Sequence, residues 1–416
     1  MGHVCIDSRE AGPGDLFVAL RGARVDGHDF VADVLARGAS AVVEDARFRG
    51  RAGAVVVEDA VAWLASAASA WRAQLATRAC TVVAVLGSNG KTGTREMIHH
   101  VLSAGGLQGS RAPRSFNNHL GVPLTLLNAA ADDDYVVLEI GTNAFGEVDA
   151  LSRIARPDVA VLTSIGEEHL EAFGDVAGVA REEAGFLPHV KPGGLVVAEA
   201  EAAAAVAPWM DVREGVVVVP VRDDGAVACG VPADAAVLGA HQRRNAALAV
   251  VVGRRLGLAD DVIAGALRTL PQTPQRMALR RLGGGVTLID DTYNANPTSV
   301  RAALDTLAQL SNPAKGGQRV AVLGEMREVA ATAEGIAAAH AAARAYALDR
   351  ADVVCVVGDA WGHGAVSIDD AAATVRPGDT VLLKGSRGAR MERAVEAIAA
   401  RFGDAAAGGG SAIVRG

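Results

Sequence analysis

The feature that most narrows the fold is an apolar run ending in a glycine-rich turn. Thr81-Val-Val-Ala-Val-Leu86 leads at once into Gly87-Ser-Asn-Gly-Lys-Thr92, and a helical pattern continues from about Lys91 to Ala104. A β-branched run with no polar alternation reads as a strand buried on both faces, as inside a parallel sheet. Parallel strands need crossover connections, so this strand–turn–helix unit predicts α/β architecture. The turn also carries chemistry. Its backbone N–H groups can surround phosphate oxygens, and the helix start adds partial positive charge. Lys91 would bring a mobile cation to terminal phosphates, and the Thr92 hydroxyl is a candidate Mg²⁺ ligand. Gly87, Ser88, Asn89, Gly90, Lys91, Thr92 and Gly93 together form the candidate nucleotide turn. The strict GxxxxGK[ST] pattern needs glycine at position 85, where this chain has Val85.

The rest of the chain repeats the alternation. Strands are predicted at Tyr135–Ile140, Val159–Thr163, Leu195–Ala198, Val216–Val219, Val286–Asp291, Arg319–Leu323, Val353–Val357 and Thr380–Lys384. Helices are expected over Ala60–Ala76, Asn245–Leu256 and Pro297–Leu310, the last with Pro in its first turn. At roughly 150 residues per domain, 416 residues predict about three. Composition shifts near residue 80, and the Pro271-Gln-Thr-Pro274 break suggests a second boundary near 270. The expected organisation is a small α/β N-terminal domain (1–80), a central parallel-sheet domain of the P-loop ATPase type (81–270), and a C-terminal Rossmann-like domain (271–416). The small-residue stretch Ala405–Gly410 is expected to fray.

Composition excludes several classes. Half the residues are hydrophobic and 21% are charged, which rules out global disorder. The formal charge of -8 argues against a nucleic-acid partner. No apolar run approaches the roughly 18 residues that span a bilayer, so stable membrane insertion is not expected. The start has no basic segment leading into an apolar one. Cys5, Cys80, Cys229 and Cys355 are scattered without a CxxC pair, as expected of reduced thiols in a cytoplasmic protein.

Two further residues point at the turn. Glu139 closes a buried strand just before Gly141, so its carboxylate should emerge at the strand-end crevice where open α/β sheets bind ligands. His169 follows the Val159–Thr163 strand within Ser164-Ile-Gly-Glu-Glu-His-Leu-Glu-Ala-Phe-Gly174. A hydroxyl, a carboxylate and an imidazole around phosphates suit Mg²⁺-assisted phosphoryl transfer. No Asn-Lys-x-Asp motif for guanine reading occurs. Alternatively, Glu139 caps a helix and His169 is a satisfied loop histidine.

Taken in order, the motifs resemble the Mur ligase family nearly end to end. They are Asp7-Ser-Arg9, Gly14-Asp-Leu-Phe-Val-Ala-Leu20, Asp26-Gly-His-Asp-Phe30, the phosphate turn and Ser115-Phe-Asn-Asn-His-Leu-Gly-Val-Pro123. Leu138-Glu-Ile-Gly-Thr-Asn-Ala-Phe-Gly-Glu147, His241-Gln-Arg-Arg-Asn245, Gln275-Arg-Met277, Asp290-Asp-Thr-Tyr-Asn-Ala-Asn-Pro297 and Lys384-Gly-Ser-Arg387 complete the series. The resemblance implies an ATP- and Mg²⁺-dependent ligase that forms an acyl phosphate and then an amide. Its implied substrates are UDP-N-acetylmuramoyl-tripeptide and D-alanyl-D-alanine, and it implies a monomer.

The resemblance further implies that Lys91 grips the β- and γ-phosphates. Thr92 and Glu139 would hold one Mg²⁺, and His169 would help hold a second. Asn245, Arg276 and Asp291 would contact the nucleotide. Asn117, Asn118, Tyr293, Asn294 and Asn296 would face substrate or the interdomain cleft, and Ser8 and Arg9 would lie near the UDP-sugar. A Mur-like ligase for another amine, and a nucleotide-binding paralogue without catalysis, remain open at this point.

The sequence departs from the family pattern in four places. Gly93 follows the GKT where Thr is usual, and Gln242 replaces an Asn before the pair Arg243-Arg244. Glu183 matches the position of a carbamylated lysine that serves as an acidic Mg²⁺ ligand, with Glu182 one residue away as the alternative. Glu183 is therefore expected to supply that carboxylate directly; the competing reading is a solvated helix face with an Arg181–Glu pair. Asp7 also comes almost at once, where relatives place a strand and a turn first, which implies a smaller first sheet or a displaced start.

Overall fold

The computed structural model describes residues 2–210, 214–222, 230–310, 316–327 and 329–404; Cys229 and the 405–410 stretch lie outside the described residues. Three sheets organise these residues. The first is β1 (Val4–Cys5), β2 (Leu16–Val18), β3 (Ser40–Val43) and β4 (Ala54–Val56), parallel and in chain order. A two-residue strand thus does precede Asp7.

The central sheet contains β5 (Thr81–Leu86), β6 (Gly109–Arg111), β7 (Tyr135–Glu139), β8 (Val159–Leu162), β9 (Leu195–Glu199) and β10 (Val217–Val221). Its order is β10-β9-β8-β5-β7-β6, parallel throughout. The chain leaves β5 toward β6 and β7 on one side and later fills β8 to β10 on the other. This reversal opens a crevice at the C-terminal end of β5, where ligands of doubly wound sheets bind.

Burial on both faces explains the unbroken apolar run of β5. Val82, Ala84 and Leu86 point into one core and Val83 and Val85 into the opposite one. The first core is shared with the helix Ala60–Thr77, whose Ala60, Leu64, Ala68 and Leu75 pack alongside Val4, Val18 and Val42 of the first sheet. Arg72 of that helix is buried and donates to Ala155 O (2.8 Å), Arg156 O (2.7 Å) and Asp158 Oδ2 (2.7 Å). Asp158 also accepts from Val82 N and from Lys191 Nζ, so one carboxylate ties the helix Ala60–Thr77 to the start of β5.

The third sheet is β11 (Ala278–Arg281), β12 (Thr287–Asp291), β13 (Arg319–Gly324), β14 (Val353–Val357), β15 (Ala365–Val366) and β16 (Thr380–Lys384), in the order β11-β12-β16-β13-β14-β15. All pairs are parallel except β11 with β12. The sequence carries no sign of β11, because Ala278-Leu-Arg-Arg281 is short, basic and partly exposed at a sheet edge.

One expected helix boundary is corrected. The helix expected from Asn245 starts at Gly239 and runs to Arg255. Apolar periodicity begins only after Asn245, whereas the earlier turn is polar because it faces a cavity. Gln242 stabilises that turn by accepting from Leu238 N at 2.7 Å. The helix Lys91–Ala104 matches its expected span.

Candidate functional site

The turn after β5 depends on two glycines at left-handed φ. At Gly87 (φ 108°) a Cβ would sit 2.6 Å from Thr163 Oγ1, and at Gly90 (φ 85°) it would sit 2.6 Å from Asn245 Nδ2. Both positions therefore exclude a side chain on steric as well as conformational grounds. Ser88 N donates to Ser164 O at 2.8 Å, Asn89 N to Ser164 Oγ at 3.0 Å and Gly166 N to Ser88 Oγ at 2.9 Å. The turn is thus laced to the loop that follows β8.

Lys91 starts the helix and folds back on the turn, donating to Gly87 O at 2.5 Å and Ser88 O at 3.3 Å, with Glu168 3.7 Å away. Burial opposes its charge, but the carboxylates of Glu168, Glu183 and Glu139 outweigh that and hold the ammonium above its ordinary pKa. Glu183 lies beneath the turn, fully buried; its Oε2 accepts from Gly87 N at 3.0 Å while Oε1 has no partner. Burial pushes the Glu183 carboxyl up to about 8; Lys91 pulls it down and Glu168 adds to the rise.

The solvated-face reading of this helix is thereby overturned, since Glu182 and Glu183 are both buried. Glu182 instead accepts from Thr142 Oγ1, Gly146 N and Val148 N, which caps the helix Glu147–Ala155. Glu183 does not line the cavity described below, so the carboxylate expected to face a metal is turned to the loop backbone instead.

Thr92 Oγ1 donates to Glu139 at 3.0 Å (Oε2) and 3.2 Å (Oε1). Asn117 Nδ2 donates to Glu139 Oε1 at 3.2 Å, and the buried Arg95 lies 2.9 Å from Oε2. Asn118 Oδ1 accepts from Leu120 N at 3.1 Å and Gly121 N at 3.0 Å where the helix Gly121–Leu127 begins. His169 sits at φ 45° with its ring edge-on to Phe173. A non-glycine residue held in that region is strained, a condition that clusters at functional sites.

The C-terminal domain supplies the opposite wall. Arg276 lies between Gln275 (φ 60°) and Met277 (φ 56°), both left-handed. Its guanidinium stacks 3.7 Å over the Tyr293 ring, and its Nη2 reaches Thr92 Oγ1 at 3.2 Å. Tyr293 OH donates to Ser115 Oγ at 2.6 Å, and Asn296 Nδ2 to Asn89 Oδ1 at 2.9 Å. Asn296 also caps the helix Pro297–Gln309 in a reciprocal box with Ser299. Asp291 pairs with the buried Lys384 at 2.5 Å, and Lys384 also donates to Asn294 O at 3.0 Å. His241, packed near Asp291 and Lys384, is held by burial at a pKa of about 4.

These walls enclose a cavity of about 690 Å³. Every site residue expected from the sequence lines it except Gly87, Glu183, Ser8 and Arg9. Ser8 and Arg9 lie in the first domain, where the exposed Arg9 side chain is paired with Asp7. Sequence reasoning missed Glu168, Arg95 and Lys384. Arg95 lies one helical turn after Lys91, a spacing that marks a shared face; the others carry no local signal beyond the motifs that contain them.

Among the described residues no group of three His, Cys, Asp or Glu side chains has metal-binding geometry. Mg²⁺ retains waters and takes one or two protein oxygens together with phosphates. The Thr92 hydroxyl beside the Glu139 carboxylate is such an oxygen pair.

The chain matches three family models in order. They are the Mur ligase family catalytic domain over residues 2–72, the Mur ligase middle domain over 85–224, and the Mur ligase glutamate ligase domain over 275–405. It is 35% identical to UDP-N-acetylmuramoyl-tripeptide–D-alanyl-D-alanine ligase of Mycobacterium tuberculosis (strain ATCC 25618 / H37Rv), covering 96% of this chain and 92% of that one. Identity to the enzyme of the same name from Escherichia coli (strain K12) is 31%, covering 95% and 93%. Among solved structures, MurF from Acinetobacter baumannii superposes with a TM-score of 0.78 at 29% identity, covering 95% and 93%. MurF ligase from Thermotoga maritima in complex with ADP gives 0.77 at 26% identity, covering 95% and 97%.

Proposed function

This chain belongs to the Mur ligase family, and on that premise we propose that it joins D-alanyl-D-alanine to UDP-N-acetylmuramoyl-tripeptide at the expense of ATP. The observation that carries the reading is the cavity in which Lys91, Thr92 and Glu139 of the central domain face Arg276, Asp291 and Lys384 of the C-terminal domain. The γ-phosphoryl group moves to the terminal carboxylate of the tripeptide, giving ADP and an acyl phosphate. The dipeptide amine then attacks the acyl carbon, phosphate leaves, and an amide remains.

Both steps gather negative charge, so preorganised cations are the main catalytic device. Lys91 leaves its resting contacts with Gly87 O and Ser88 O to meet the β- and γ-phosphates, while the backbone N–H groups of the first helical turn, those of Lys91 and Thr92 among them, point at the phosphate oxygens. Arg276 approaches from the far wall, kept planar and aimed by Tyr293. Thr92 and Glu139 would hold one Mg²⁺ and His169 would help hold a second, and the ions would supply further charge neutralisation. Glu183 braces the turn through Gly87 N. Asn245 and Asp291 fit the nucleoside side of the cavity. Asn117, Asn118, Tyr293, Asn294 and Asn296 fit the peptide side, and Ser8 and Arg9 fit the UDP moiety.

The proposed working units are residues 1–80, 81–270 and 271–416, in a monomeric cytoplasmic enzyme. No helix among the described residues is long and apolar enough to cross a membrane. Phosphate release from MgATP, measured with both substrates present and with each omitted, tests the reading. Release that requires both supports it. Release only with another amine reassigns the acceptor, and nucleotide binding without turnover overturns catalysis.

A further inference from the structure

Consecutive glutamates after β8 face opposite ways. Glu168 turns inward to Lys91, 3.7 Å away and nine-tenths buried, with its Oε1 unpartnered. Glu167 turns outward to the C-terminal helix Pro297–Gln309. Its backbone N donates to Thr298 Oγ1 at 3.2 Å, Thr298 Oγ1 donates to its Oε2 at 3.3 Å, and Arg301 pairs with the same carboxylate. The approach is close, because a Cβ on Gly166 would lie 2.8 Å from Thr298 Oγ1. The same short loop braces the phosphate turn from behind, through Ser164 with Ser88 and Asn89 and through Gly166 with Ser88.

We propose that Glu167 is a positioning residue for the ligation, a latch through which docking of the C-terminal domain sets the placement of Lys91. With the helix docked, Thr298 and Arg301 hold Glu167, and the loop is stapled between that helix and the phosphate turn. Ser164 and Gly166 then stay in register with Ser88 and Asn89, and Glu168 stays against Lys91. When the helix withdraws, the loop loses its outer anchor and the brace behind the turn relaxes. Lys91 is thus aimed at phosphate in the docked arrangement and poorly aimed outside it, which suppresses ATP turnover before the second domain is in place. Glu167 lies outside the cavity lining and touches no proposed substrate position, so its effect passes through the loop. The proposal rests on the ligase reading above.

The test compares wild type with Glu167→Ala, Arg301→Glu, the exchange Glu167→Arg/Arg301→Glu, and the conservative Arg301→Lys, all in the full chain. In the phosphate-release assay the first two should lower kcat by about three- to tenfold with little change in KM for ATP, in the range expected for a half-exposed coupled pair. The exchange and Arg301→Lys should recover most of the loss. Small-angle scattering with a non-hydrolysable ATP analogue should show compaction in wild type and in the exchange, and less in either single charge-losing variant. Unchanged kcat and unchanged compaction in Glu167→Ala would overturn the latch, as would an exchange no better than its parents at an unaltered melting temperature. Should wild type release no phosphate with the two proposed substrates, the ligase reading fails, and the scattering comparison still decides whether Glu167 holds the domains together.

Discussion

Arg276 and Thr92 meet across the interdomain cleft, the guanidinium Nη2 lying 3.2 Å from the hydroxyl at the start of the phosphate-turn helix. Each comes from a different domain, and the arginine is held by a stack on Tyr293 and by left-handed neighbours on both sides. Arg276→Ala should therefore lower kcat for phosphate release about 100-fold, the scale of losing one preorganised charge-stabilising donor. Arg276→Lys should recover little of this, because an ammonium has neither the planar fork nor the stack. Recovery to near wild-type rates in the lysine variant would show that bare charge suffices.

Glu183 should make stability fall at high pH. Its folded pKa is raised to about 8 from an ordinary 4.5, chiefly by burial. The folded chain thus binds more protons than the unfolded chain across that window, and stability is lost as pH rises through it. Glu183→Gln keeps an acceptor for Gly87 N without the buried charge. Urea unfolding should find the variant and wild type alike near pH 4.5 and the variant more stable by about 4–5 kcal/mol near pH 8.5. Parallel curves at all pH values would contradict this.

His241 should act in the acid range with the opposite slope. Burial, with Lys384 and Arg244 adding and Asp291 opposing, lowers it to about 4 from 6.5. The unfolded chain then binds the extra proton between those values, so stability is retained above pH 6.5 and lost as pH falls toward 4. His241→Asn should flatten that limb by up to about 3 kcal/mol at pH 4, read by the same unfolding experiment.

Arg72 should prove the costliest single truncation outside the cavity. Its guanidinium is buried and serves two carbonyls and the Asp158 carboxylate. Arg72→Met leaves those acceptors without their partner, and losses of about 3–5 kcal/mol are usual when half of a buried pair is removed. A loss below about 1 kcal/mol in thermal or urea unfolding would mean that water or Lys191 replaces it.

Elements with strong local signals are legible in the residues themselves. The run Thr81–Leu86 and the helix Lys91–Ala104 appear with the expected bounds, because an unbroken β-branched stretch and a glycine turn each restrict the backbone locally. The edge strand Ala278–Arg281 is not legible, since an edge pairs on one side only and needs no apolar signature. The first turn of Gly239–Arg255 is hidden for a related reason, its polar residues facing the cavity rather than solvent. Most of the expected site residues line that cavity, and they belong to ordered motifs in which spacing and chemistry repeat one another.

Which carboxylate meets which partner was decided only in three dimensions. One residue along an α-helix turns a side chain by about 100°, so neighbours face different surroundings. Glu182 caps the helix Glu147–Ala155, while Glu183 supports Gly87 beneath the phosphate turn. In the loop after β8, Glu167 and Glu168 likewise divide between Arg301 and Lys91, there by the path of the loop rather than by helical rotation. By itself the sequence determined the α/β class, the phosphate turn and part of the charged set near it, Lys91 and Glu139 included, because backbone sterics and apolar periodicity act over a few residues. Tertiary structure decided how those charges pair, because each pairing joins segments far apart in the chain and depends on the rotation and packing of whole elements.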